Sequence, residues 1–289
     1  MRRLLGRTAA YGRMIRFSHS VFALPFAFTS AALAAQGRGI SARQALWIVV
    51  AMVGARSAAM GFNRLADHSI DARNPRTAGR ELPRGVLSRA EVWAFVAASA
   101  AALVLAAAML NPLCLALSPV ALLIVFGYSY TKRFTALSHL ALGLALAVAP
   151  VGAWLALRGS FHPVPMVLGL AVLAWVAGFD TIYACQDAEV DRREGLHSLP
   201  ARLGVPRALA AARGLHVLSV ALLAVLFWLA PLHPLYLAGV AAIAGLLVYE
   251  HSLVSPQDLS RVMQAFNLNG WVSLGYFAST LVAVLLGGR

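Results

Sequence analysis

Charge is scarce in this 289-residue chain and negative charge scarcer still: 12% of residues are charged, only 11 are Asp or Glu, and Lys132 is the sole lysine. With 60% hydrophobic residues and a mean hydropathy of +0.75, that scarcity excludes an ordinary soluble domain, in which about a quarter of residues are charged. Cysteine is almost absent too. Cys114 and Cys185 belong to opposite ends of their apolar segments, about a bilayer apart and beyond the roughly 7 Å Cα separation a disulfide tolerates, so both read as small buried residues. His68, His139 and His197 read as isolated loop or helix-end side chains, without the spacing of a zinc or iron site. There is no low-complexity tract and no linker longer than about 20 residues, so residues 1–289 are expected to form a single membrane domain.

What is present is apolar sequence in lengths near the ~20 residues that cross a bilayer. Segments at 19–36, 43–62, 91–110, 113–130, 136–157, 165–186, 208–230, 234–250 and 267–286 predict an all-α, polytopic membrane bundle of nine helices. The first follows Arg2, Arg3 and Arg7 and ends in small residues, as a signal peptide would, but the eight later spans make an unprocessed first span the better reading. If the N-terminus is cytoplasmic, 19 basic residues fall on that side and 4 on the other, with Arg56 inside a span. By the positive-inside rule this asymmetry predicts a multi-pass protein with that side cytoplasmic, and the expected location is a bacterial-type inner (cytoplasmic) membrane. The net charge of +13 does not imply nucleic acid, because these arginines occupy short loops that also meet anionic lipid.

Five of the six aspartates fall in two stretches, Asn63-Arg-Leu-Ala-Asp67-His-Ser-Ile-Asp71 and Asp180-Thr-Ile-Tyr-Ala-Cys-Gln-Asp187-Ala-Glu-Val-Asp191. Each ends a long apolar run on the side expected to be cytoplasmic, and each precedes one of the two longest loops on that side, 72–90 and 192–206. The pairing suggests a weak internal repeat in which Asn63 and Asp187 correspond and the loops form a common lid. At about 100° per residue, Asn63, Asp67 and Asp71 lie within roughly 80° of one another on a helix, Asp180, Asp187 and Asp191 share another face, and Arg56 joins the first stripe deeper in the membrane. Carboxylates four apart repel each other. A hard divalent cation such as Mg²⁺ removes that penalty, accepts oxygen ligands alone, and keeps waters and substrate phosphates in its shell. The alternative is structural pairing of the aspartates with arginines such as Arg64, Arg73, Arg192 and Arg193. Lys132 and Arg133 close the fourth span at the same face, either to contact a diphosphate or simply as topology markers. A transporter is the rival from another class, although its carboxylates would tend to sit near the midplane on interrupted helices.

At these positions the chain resembles the UbiA-type intramembrane prenyltransferases, whose signatures Asn-x3-Asp-x3-Asp and Asp-x3-Asp match Asn63, Asp67, Asp71 and Asp187, Asp191. The strings NPRTAGRELPRG (74–85), YSYTKRFTALSH (128–139) and GFDTIYACQDAEVDRREGLHSLPARLG (178–204) extend the resemblance over essentially the whole chain. It implies a nine-helix bundle with both motifs at its cytoplasmic mouth. It also implies Mg²⁺ held by Asp67, Asp71, Asp187 and Asp191, with Asn63 assisting, on the diphosphate of a polyprenyl donor. A lateral opening would leave the prenyl tail in lipid, and Phe22, Phe26, Phe126 and Tyr130 either line its path or simply pack. Arg56 either pairs with an aspartate or grips the carboxylate of a hydroxyaryl acceptor such as 4-hydroxybenzoate, with Asp180 or Asp191 orienting or accepting the phenolic proton. Similarity is closest to a 4-hydroxybenzoate-type branch, part of which takes 1,4-dihydroxy-6-naphthoate in menaquinone synthesis, and haem or chlorophyll prenyltransferases are disfavoured by the benzoate-type strings. One departure is Gly195, which replaces a third acid after Asp191; Glu189 and Glu194 are off the stripe.

Overall fold

The computed structural model describes residues 10–15 and 22–287, so Arg2, Arg3, Arg7, Arg16, Arg289 and the start of the first span lie outside the described residues. Eight helices are long and apolar enough to cross a membrane, joined by one shorter apolar helix, and no strand occurs among the described residues. In chain order they are α1 (Leu24–Ala35), α2 (Ala42–Ala66), the short α3 (His68–Arg73), α4 (Arg89–Leu110), α5 (Pro112–Thr131), α6 (Ser138–Arg158) and α7 (Pro163–Ala184). A 3₁₀ turn at Cys185–Asp187 leads to α8 (Ala188–Arg193), then α9 (Leu199–Leu203), α10 (Val205–Leu229), α11 (Leu235–Ser252) and α12 (Val262–Leu285). The protein is therefore the expected all-helical, multi-pass membrane bundle. The described part of the first span is shorter than expected, 12 residues with Pro25 in its first turn.

The helix starts follow from their caps. Ser41 and Ser88 form capping boxes with Gln44 and Glu91 at the starts of α2 and α4, satisfying backbone donors that a helix cannot pair internally. Asn111 caps α5 with Pro112 behind it, and His162 caps α7 ahead of Pro163, where proline's missing N–H costs nothing.

α7 is the most enclosed of the long helices, with α6, α10 and α12 packed on it. Its approach to α6 depends on Gly143, where a Cβ would come within 2.4 Å of the Leu173 carbonyl oxygen. Small residues at such crossings let membrane helices pack by close backbone contact. Around it, α2 packs against α4 and α5, α4 against α5, α5 against α6, α6 against α1, α1 against α12, and α11 against α10 and α12. The C-terminal ends of α2, α5 and α7 and the N-terminal ends of α4 and α6 thus meet at one end of the bundle, with both aspartate stretches.

Candidate active site

The two polar stripes are present, but neither lies on one continuous helix. α2 ends at Ala66 and α3 begins at His68, with Asp67 between them at φ −93°, ψ 5°. Asp187 sits at a like break before α8, at φ −101°, ψ 2°. The first stripe survives because the four-residue backbone bonds continue, Asp67 N to the Asn63 carbonyl at 2.9 Å and Asp71 N to the Asp67 carbonyl at 2.8 Å. Asn63, Asp67, Asp71, Asp180, Asp187 and Asp191 all line one cavity of about 790 Å³. It continues from them past Arg56 to Met52, Leu110 and Cys114 near the opposite end, through a wall rich in alanine, valine and leucine.

At the mouth each of three aspartates meets cations. Asp67, almost fully buried, accepts from Lys132 Nζ at 2.6 Å, from Arg133 at 3.1 Å and from Asn63 at 3.2 Å. Asp71 takes one Arg80 nitrogen on both carboxylate oxygens, each at 2.7 Å. Asp187 is gripped by Arg76 through two nitrogens, and Asn74 adds a bond at 3.2 Å. Burial works against charge on Arg76, but the Asp187 hydrogen bond, then Tyr183 and the neighbouring carboxylates, outweigh it and raise its pKa above the ordinary guanidinium value. The partners are not the arginines that sequence spacing offered. Arg64 donates to the Met14 carbonyl, Arg73 pairs with Glu194, Arg192 with the Ala201 carbonyl and Arg193 with Glu189. The Arg73–Glu194 contact of 2.6 Å ties the two loops that follow the motifs, and it accounts, with Arg193–Glu189, for both acids that lie off the stripe.

His139 is not isolated, contrary to the sequence expectation. It is buried, and its Nδ1 stands 2.7 Å from Asp180 Oδ2 while its Nε2 accepts the Leu199 backbone N–H at 3.3 Å. Nε2 as acceptor puts the proton on Nδ1, so His139 donates to Asp180. Asp191 lines the same cavity beside Ser198. Arg133, besides its bond to Asp67, joins the ends of two helices, donating to the Ala66 carbonyl of α2 at 2.6 Å and to the Ser129 carbonyl of α5 at 2.7 Å. Of the four aromatics, Phe22 lines the cavity. Phe26 packs on Trp175 and Tyr276, Phe126 on Phe62, and Tyr130 on Phe62 and Arg133.

Among the described residues no three His, Cys, Asp or Glu side chains converge as a self-sufficient metal cage requires. The acids instead form two pairs on the wall of a shared cavity. That donor set fits a hard cation such as Mg²⁺, bound through one or two carboxylates while its other positions keep water and phosphate oxygen.

Residues 23–280 match the profile of the UbiA prenyltransferase family. The chain belongs to that family. This UbiA protein is 32% identical to the 4-hydroxybenzoate octaprenyltransferase of Aeromonas hydrophila over 83% of its length and 85% of the relative's. It is 30% identical to the enzyme of the same name from Cupriavidus necator, over 97% and 99%. Its fold superposes on the apo structure of a UbiA homolog from Aeropyrum pernix with a TM-score of 0.83 at 37% identity, covering 92% of this chain and 98% of that one. An Archaeoglobus fulgidus UbiA homolog bound to GPP and Mg²⁺ shares the fold, with a TM-score of 0.72 at 22% identity over 94% and 99% of the two chains. The protein is an integral membrane enzyme, a polyprenyltransferase.

Proposed function

We propose that the protein transfers the prenyl group of a polyprenyl diphosphate to a hydroxyaryl carboxylate of the 4-hydroxybenzoate type, in quinone biosynthesis, with Mg²⁺ as cofactor. The observation that carries this reading is a single cavity with both aspartate motifs at its mouth, Arg56 deeper within, and an apolar length beyond. Arg56 lies two helical turns, about 10 Å, below Asn63. The names of the curated relatives support the acceptor class, and the ligands of the Archaeoglobus homolog support the donor and the ion.

Asp67, Asp71, Asp187 and Asp191, assisted by Asn63, would hold Mg²⁺. Bound there, it would neutralise the charge that gathers on the diphosphate as the allylic C–O bond breaks. Lys132, Arg76 and Arg80 line the same mouth and have donors for phosphate oxygens. The bond pair leaves with the diphosphate, and a ring carbon of the acceptor attacks the allylic carbon. Aromaticity returns as the ring carbon gives its proton to the released diphosphate and Asp180 returns the phenolic one. Arg56 grips the acceptor carboxylate bidentately. Asp180, held by the His139 Nδ1–H, accepts the phenolic proton and so enriches the ring. The apolar wall admits the prenyl tail, each buried CH₂ contributing about 0.8 kcal/mol. The excess of arginine at the motif end supports a cytoplasmic mouth in an inner membrane.

The test is product mass from purified protein given 4-hydroxybenzoate and 1,4-dihydroxy-6-naphthoate in parallel, with several polyprenyl diphosphates, in Mg²⁺ or in chelator. Prenylated hydroxybenzoate formed only with Mg²⁺ is expected. Product from the naphthoate alone reassigns the acceptor, and uptake by proteoliposomes without product overturns the enzyme reading in favour of transport. Arg56→Leu should raise the acceptor KM roughly 10- to 100-fold, the range for a lost charge-assisted pair, and leave the donor KM unchanged.

A further inference from the structure

At the end of the bundle opposite the aspartates, a second cavity of about 560 Å³ opens between the ends of α1, α6 and α10 and the start of α7. Its charged lining is cationic. Arg38 and Arg158 line it with Trp154 and His162, and among the described residues no Asp or Glu does. Among the described residues no carboxylate lies within ion-pair distance of either guanidinium.

The donors are also arranged with atoms to spare. Trp154 is 6% exposed, and its buried indole Nε1 has no hydrogen-bond partner. Arg158 uses one terminal nitrogen on the Gln36 carbonyl at 3.2 Å, while its buried Nε has none. The Arg158 guanidinium lies over the Trp154 ring, 5.8 Å from its centre, and His162 stacks on Trp154 with ring centres 5.0 Å apart. His162 Nδ1 accepts the Val164 N–H at 3.3 Å, which leaves Nε2 as the protonated donor. Leu33, Val164, Leu229 and Pro231 provide an apolar floor, and Trp228, next to Leu229 in the chain, stands exposed at 67%, as in an interfacial aromatic belt.

We propose that this cavity binds a phosphate-class anion, seated as the headgroup of an anionic phospholipid in the leaflet opposite the active site. The phosphate meets Arg38, the terminal nitrogens of Arg158 and His162 Nε2, and the glycerol and acyl ends lie on the apolar floor. The site is separate from the prenyl cavity, so its occupancy does not depend on the proposed reaction.

The experiment is native mass spectrometry and thermal unfolding of the full chain in detergent, with added phosphatidylglycerol, phosphatidylcholine or inorganic phosphate. The wild type should retain phosphatidylglycerol and melt higher with it than with phosphatidylcholine. Arg38→Gln, an exposed side chain whose loss disturbs no bond in the fold, should weaken retention about fivefold, and Arg38→Gln with Arg158→Gln by a further factor of about five. A phosphate-induced shift of equal size, lost in the same variants, would keep the anion site and overturn its assignment to lipid. Equal retention of phosphatidylglycerol by the wild type and both variants would overturn the site itself. Because the readout is lipid retention rather than turnover, failure here and failure of the prenyl-transfer reading are separable.

Discussion

The two faces of α7 solve the same problem in opposite ways. Toward α2 and α6 the helix presents Asp180, and beyond its end Asp187, to an open cavity where carboxylates face Arg76 and His139. Toward α10, α11 and α12 it presents Trp175 to a closed network. There Trp175 Nε1 donates to Asn269 at 2.7 Å, Asn269 donates to the fully buried Glu250 at 2.8 Å, and His216 meets His251 at 3.0 Å and the Trp175 carbonyl at 3.2 Å. Polar groups at membrane depth are costly on either face. On the first, the acids line open space, so a ligand can replace one partner with another; on the second, the side chains bond chiefly one another. The first arrangement belongs to chemistry and the second to holding helices together.

The largest expected effect tests the open face. Asp187→Ala or Asp191→Ala should lower turnover about 10³-fold, the scale for loss of electrostatic stabilisation at a leaving group, with the melting midpoint in detergent close to wild type. Rate is read from labelled prenylated product and folding from thermal unfolding. An active double variant would refute the metal assignment, and a large loss of stability would make the open face structural as well.

The closed face should give the reverse pattern. Asn269→Leu strands Trp175 Nε1 and Glu250 Oε1 together and should cost about 2–4 kcal/mol of stability, one to two unmade buried hydrogen bonds. Turnover per folded molecule, measured well below the melting midpoint, should stay within about twofold, the scale of distant independent sites. A rate that collapses while the protein remains folded would mean that the network reaches the site through α7.

Legibility in the sequence follows the same division. The long apolar runs and the aspartate spacing are strong local signals, so the bundle, both motifs and the position of Arg56 are legible in the order of residues alone. Pairings between distant elements are not. His139 and Asp180 lie 41 residues apart, and Arg76 and Arg80 look like further topology arginines until the loop folds back on Asp71 and Asp187. The helix breaks at Asp67 and Asp187 carry neither Gly nor Pro to announce them. Glu250 and Asn269 do offer a signal, an acid and an amide inside candidate spans, as does His216; without a repeated spacing it carries no chemistry. The cationic cavity at the far end is invisible for the same reason, since Arg38, the Trp154–Arg158 pair and His162 come from the ends of three different helices.

The smallest expected effect is the sharpest probe, because it works from one face of α7 toward the other. Gly178 has no side chain where His216 presses against the helix: a Cβ there would fall 2.3 Å from His216 Cδ2 and 2.4 Å from its Nε2. Gly178→Ala must therefore push the imidazole off the Trp175 carbonyl or move α7 bodily. Overpacking of this kind costs about 1–3 kcal/mol. If the imidazole yields, thermal unfolding shifts and the kinetics do not. If the helix yields, Asp180, two residues on and facing the opposite cavity, moves with it and away from His139. Turnover would then fall at saturating donor and acceptor while both KM values hold. The two outcomes differ in which quantity changes, so one variant measured both ways decides whether the closed network only anchors α7 or also aims the residue proposed to take the proton.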